Sequence, residues 1–156
     1  MNGLVVSGAL DRLAVFDLFN RYADALDSRK WSDLDDVFDP EVTVNYGGAY
    51  LIQGRPNVVA MIRSFLDLCG PTQHLMGNHR AHIEGDSARG SVKMRVHHVG
   101  SGERAALTYE CFGWYFAESI RTDHGWRVVS WRQQVTHELG TRDVFVDPVP
   151  RATLDH

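Results

Sequence analysis

The chain has 156 residues, 44% apolar and 23% charged, with a net charge of −4. That is enough for one domain with its own core, and too apolar for disorder. The composition argues against a broad nucleic-acid surface, a membrane span and a secretory signal. The balance is acidic, no apolar run approaches ~18 residues, and the opening MNGLVVSGALDRL has no basic leader.

Helical patterning comes first and strand patterning later, the order of an α+β fold. Leu10, Leu13, Phe16, Phe19, Ala23 and Leu26 recur at three- and four-residue spacing and predict a helix over Ala9–Leu26. Asp27-Ser28 breaks it, and a short helix follows over Trp31–Phe38, ended by Pro40. Glu41–Tyr46 is rich in β-formers, Gly47-Gly48 makes a turn, and Tyr50–Ile52 reads as a returning strand. Gly54-Arg55-Pro56 opens a helix over Pro56–Cys69 that turns Val59, Ile62, Phe65 and Leu66 inward. Strands are expected over Thr72–Glu84, Ser87–Val99, Arg104–Glu118 and Trp126–Glu138, with turns at Gly85-Asp86 and Gly100–Gly102.

Long antiparallel strands curl, and helices on the concave face of such a sheet enclose a pocket. Trp114, Tyr115, Phe116, Trp126 and Trp131 are expected in the core. No linker divides the chain, so residues 1–156 read as one domain, with 139–156 a tail over the domain or a neighbouring subunit. Cys69 and Cys111 have no metal or redox spacing, and read as reduced thiols of a cytoplasmic protein.

The chemistry-bearing residues are few. If Gly85-Asp86 is a hairpin turn, His74 pairs with about position 97 or 98, which makes His74 and His98 neighbours on one face. Phe16, Asn20, Ala23 and Asp27 form one helical stripe, so Asp27 stands at the border of the apolar face. A carboxylate there either caps the next helix or is partly buried with an imidazole as its partner. The second arrangement is a general-base unit, in which the carboxylate fixes the tautomer and stabilises the imidazolium. Asp27, His74 and His98 could also form a two-histidine, one-carboxylate metal face. Tyr46 could equally be a strand-end aromatic that shields the core. His79, His82, His124, His137 and His156 carry no pattern that points to chemistry. G-x-G-x-x-G, Walker, G-x-S-x-G, H-E-x-x-H and paired C-x-x-C motifs are all missing, so nucleotide, nucleophile-elbow and zinc chemistry have no support.

YADALDSRKWSDLDDVF, VNY, TQHLMG and VKMRVHH, in this order and spacing, resemble scytalone dehydratase, a family within the SnoaL-like, nuclear transport factor 2-like cone folds. The resemblance covers residues 9 to 137. It implies a cone-shaped curved antiparallel sheet with N-terminal helices on its concave face. It matches Asp27, His74, His98 and Tyr46 to catalytic positions, and Tyr22 and Val96 to the pocket. Leu26 replaces a carbonyl-directed tyrosine, and Cys111 an asparagine. A dehydrochlorinase and a bile-acid dehydratase of the same superfamily are similar at the Asp27/His74 pair. The implied activity is a lyase without cofactor or metal that eliminates water, or a similar leaving group, from a small hydrophobic cyclic or aromatic carbonyl compound. The same fold also hosts non-catalytic binding or assembly modules and double-bond isomerases or cyclases. A homodimer or homotrimer through the outer sheet face is expected, with neither nucleic acid nor membrane as partner.

Overall fold

The computed structural model describes residues 2–48 and 51–145. Tyr50, expected in a strand, and residues 146–156 of the expected tail lie outside the described residues. No helix among the described residues is long and apolar enough to cross a membrane.

Helix α1 spans Asn2–Ser28. Its core stripe is Val15, Leu18, Phe19, Tyr22 and Leu26, none more than 4% exposed. Leu10 and Leu13, expected inside, are each 60% exposed. The inward face is therefore rotated from the one that Leu10 and Leu13 suggest. The helix ends with Arg29 in the left-handed region at φ 58. Arg29 N–H bonds the Leu26 carbonyl at 3.2 Å and Lys30 N–H that of Ala25 at 3.0 Å, a Schellman termination.

Trp31–Asp36 is a 3-10 helix, shorter than the helix expected to reach Phe38, and Lys30 stands at its N-cap without a side-chain bond. Pro40 does not stop a helix; it lies inside strand β1, Phe38–Asn45. The β1 ladder is interrupted between Phe38 and Thr43, where a residue without N–H is tolerated. Strand β2 is Ile52–Gln53, and helix α2 is Arg55–Leu66. The long strands are β3 (Thr72–Glu84), β4 (Ser87–Val99), β5 (Thr108–Thr122) and β6 (Gly125–Gly140). The last hairpin turns at Asp123-His124, several residues beyond the expected Glu118, with Gly125 at φ 95.

The six strands form one curved sheet in the order β2-β1-β6-β5-β4-β3. Every pair is antiparallel except β1 with β6, which run parallel. The core lies between α1, α2 and the inner sheet face. Strand alternation settles the aromatics. Tyr115, Trp126 and Trp131 are at most 5% exposed and belong to the core. Trp114 and Phe116, also expected there, point to the outer face, where Lys93 and Arg132 lie over their rings.

One irregularity decides the functional geometry. From Glu84↔Ser87 the β3–β4 ladder runs evenly to Arg80↔Ser91, then shifts by one residue before Gly77↔Lys93. Asn78 carries this bulge at φ 54, a conformation asparagine tolerates better than most. An unbroken ladder would set His74 opposite His97 and turn it outward. With the bulge His74 pairs with Val96, and Thr72, His74 and Met76 face inward with Val96 and His98.

Asn78 therefore has a conformational role that a β-branched residue cannot fill. Asn78→Val is expected to cost about 1–2 kcal/mol, while Asn78→Gly stays within a few tenths of wild type. Urea titrations of the two variants check this; equal losses would remove the backbone explanation.

Candidate functional site

The site is built where the end of α1 meets the start of β3. β3 is an edge strand, so alternate N–H groups along it have no strand partner. Asp27, in the last turn of α1, takes one of them: His74 N–H donates to Oδ2 at 2.7 Å. The other carboxylate oxygen accepts twice, from His74 Nδ1 at 2.7 Å and from the Thr72 hydroxyl at 2.9 Å. Asp27 thus does not cap the following 3-10 helix; its acceptor capacity is spent on β3. Burial opposes its charge, but the bonds from His74 and Thr72 outweigh that and hold the carboxyl below its ordinary value. A carboxylate only accepts, so His74 donates through Nδ1, and in the neutral imidazole Nε2 is the free acceptor. The His74 side chain is 4% exposed and that of Asp27 25%.

His98 comes to the same interior, its ring 6.3 Å from that of His74. They are not opposite each other: Thr72 pairs with His98, and His74 is its diagonal neighbour. His98 is 6% exposed. Its Nδ1 donates to the Tyr109 carbonyl at 3.2 Å, which again leaves Nε2 as the acceptor. Burial above all, helped by neighbouring His74, pushes its pKa down to about 3. His98 is therefore neutral near pH 7 and has no Nε2 proton to give.

Tyr46 lies just beyond β1, partly exposed, and its hydroxyl meets that of Tyr22 at 2.9 Å. Burial pushes both phenols well above their ordinary values, so both remain protonated donors. Tyr22 stands edge-on to His74 at 6.1 Å between ring centres. Leu26 and Val96 are buried beside this group at 2% and 1% exposure. Cys111 pairs with Val96 across the sheet, and burial pushes its thiol up to about 12, which makes it an apolar wall rather than a nucleophile.

Several contributors carried no signal of their own in the sequence. Arg29 and Thr72 sit inside ADALDSR and TQH, the segments that hold Asp27 and His74. Tyr109 packs at a tilt against His98 and donates its hydroxyl to Glu138, which Arg142 also holds at 3.0 Å. Phe145 meets both rings, its centre 5.2 Å from that of His98 and 5.7 Å from that of Tyr109. The remaining histidines stand apart. His79 bonds Asn20 at 3.1 Å in a hollow between α1 and β3, and His82 lines another with Arg89 and Glu118. Neither hollow reaches Asp27 or His74. Among the described residues no cluster of three or more His, Cys, Asp or Glu side chains is set to hold a metal.

The buried neutral state of His98 fixes a pH dependence. Unfolded, it takes up a proton near 6.5; folded, only near 3. Its site is fully stable above pH 6.5, and stability falls below that by about 1.4 kcal/mol per pH unit. Between pH 7.5 and pH 5 the loss from this residue is ~2 kcal/mol. His98→Gln is expected to flatten that part of the profile in urea titrations at the two pH values; an unchanged slope would mean that His98 protonates freely in the fold.

A family model described as SnoaL-like domain matches residues 8–132. An uncharacterized protein of Mycobacterium tuberculosis (strain ATCC 25618 / H37Rv) is 32% identical over 127 residues, 81% of this chain and 86% of that protein. Among solved structures, the Kfla4162 protein from Kribbella flavida has a TM-score of 0.81 at 22% identity, over 88% of this chain and 97% of that one. A "Putative Scytalone Dehydratase" from Novosphingobium aromaticivorans DSM 12444 also has a TM-score of 0.81, at 17% identity, over 96% and 95% of the two chains. The LinA-type3 hexachlorocyclohexane dehydrochlorinase from Novosphingobium barchaimii LL02 has a TM-score of 0.73 at 16% identity, over 85% and 94%. At these identities the structures share the fold. The family model spans most of the chain, and the protein belongs to the SnoaL-like family, on the nuclear transport factor 2-like fold.

Proposed function

We propose that the protein is a lyase that eliminates water from a small cyclic or aromatic β-hydroxy carbonyl compound, with Asp27 and His74 as its acid–base pair. One observation carries the reading: His74 is held through Nδ1 by a carboxylate at 2.7 Å, in an interior where its side chain is 4% exposed. That leaves Nε2 as a base of defined direction.

His74 Nε2 takes the α-proton as the C–H bond breaks. Asp27 stabilises the imidazolium, and the electron pair moves to the carbonyl oxygen as an enolate. The Tyr46 hydroxyl donates to that oxygen. Re-formation of the carbonyl expels the β-hydroxyl, which leaves as water with the proton returned by His74. One imidazole serves as base and then acid, so the elimination is syn. His98 is neutral and bare at Nε2, so its part is to accept a hydrogen bond from the substrate, not to protonate the leaving group.

The departure at Leu26 has a compensation that supports the reading. Tyr22 lies one helical turn before Leu26 on the same face, and its hydroxyl reaches that of Tyr46. A second phenol thus joins Tyr46 from a different step of the same helix. Leu26, Val96 and Cys111, buried beside the pair, offer an apolar surface that suits a ring.

The test is α-proton exchange of 1-indanone in deuterated buffer, followed by NMR. Asp27→Asn and His74→Ala are expected to abolish catalysed exchange with the fold retained; exchange at the wild-type rate in either would refute the pair. Tyr46→Phe is expected to lower kcat by roughly 10²-fold with little change in KM, the loss of one oxyanion donor. A change confined to KM would make Tyr46 a binding residue only.

A further inference from the structure

Arg29 is the first residue beyond α1, and it stands at φ 58. Glycine takes that backbone without strain; arginine does not. Its side chain accounts for its presence. Nη1 donates to the Leu26 carbonyl and, at 2.9 Å, to the Thr72 hydroxyl oxygen; Nη2 donates to the Gly70 carbonyl at 2.8 Å. The two carbonyl bonds clasp the helix end to the loop before β3. The bond to Thr72 reaches the first residue of β3.

Its effect is directional. A hydroxyl has one proton to give. With the guanidinium donating to the Thr72 oxygen, that proton is left for Asp27 Oδ1, 2.9 Å away. Asp27 Oδ1 is also the oxygen that accepts from His74 Nδ1. Donors therefore converge on one carboxylate oxygen from both sides, from Arg29 through Thr72 and from His74. Each bond in such a chain polarises the next.

We propose that Arg29, acting through Thr72, is a positioning residue of the Asp27–His74 pair. It aims the Thr72 hydroxyl at Asp27 Oδ1 and so fixes the orientation of the carboxylate that accepts from His74 Nδ1. Its consequence for turnover rests on the acid–base reading above; its effect on the imidazole does not.

The experiment separates the clasp from the relay. Thr72→Val removes the hydroxyl and leaves both carbonyl bonds of Arg29. Thr72→Ser restores the hydroxyl. Arg29→Gly keeps the left-handed backbone and removes the guanidinium. Imidazole 15N–1H correlation spectra of the full chain read which nitrogen of His74 carries the proton. Wild type and Thr72→Ser are expected to show the Nδ1–H form alone, and Thr72→Val and Arg29→Gly a mixture of both tautomers. With 1-indanone, kcat is expected to fall roughly tenfold in those two variants, part of the 10²–10⁴ that a positioned base supplies, with KM within about twofold. Pure Nδ1–H in both Thr72→Val and Arg29→Gly would overturn the proposal, as would a change in Arg29→Gly that Thr72→Val does not share. If Arg29→Gly does not fold, the two Thr72 variants decide alone. If wild type exchanges no proton while the tautomers respond as expected, the lyase reading falls and the positioning role stands.

Discussion

Three hydrogen bonds to one carboxylate join the two halves of this fold. Asp27 ends a helix, and His74 and Thr72 begin an edge strand more than forty residues later. An edge strand has N–H groups to spare, and a helix end can present a side chain to them. The contact satisfies a half-buried charge and a strand edge together. It also fixes the ring of His74, because backbone and side chain of that residue are held by the same group. A buried carboxylate with fewer donors would be costly; here the donors outweigh the desolvation, and the charge persists in the fold.

The polar groups of the interior divide into acceptors and donors. His74 and His98 each donate through Nδ1, one to a carboxylate and one to a backbone carbonyl, so Nε2 is the acceptor of each neutral ring. Tyr22 and Tyr46 remain protonated because burial disfavours the phenolate. Acceptor imidazoles and protonated phenols thus coexist in one interior. Environment, rather than residue type alone, assigns each group its part.

Much of this was legible in the sequence, and the exceptions have physical causes. The strands β3 and β4 read true because Gly85-Asp86 fixes their hairpin. The inward turn of His74 was not readable, because it depends on one extra residue at Asn78 that alternation alone cannot reveal. Leu10 and Leu13 misled the reading of α1, since an exposed leucine has the same periodicity as a buried one. Trp114 and Phe116 follow strand alternation, which outranked their hydrophobicity. Asp27 could be placed on a stripe but not given a partner, since helix capping and burial use the same residue type. Arg29 was hidden because a left-handed arginine has no signature until its side-chain contacts are seen.

The parallel pairing of β1 with β6 has a bearing on how the protein acquires its interior. Val44 lies against Trp131, and Asn45 against Arg132, so the neighbours that seat Tyr46 arrive nearly ninety residues after it. Asp27 and His74 belong to nearer parts of the chain. The carboxylate–imidazole contact spans 47 residues of chain, whereas the sheet neighbours of Tyr46 come only with the last strand. The two polar groups of the interior thus depend on contacts of very different sequence separation, the carboxylate–imidazole pair on the nearer one and Tyr46 on the farther.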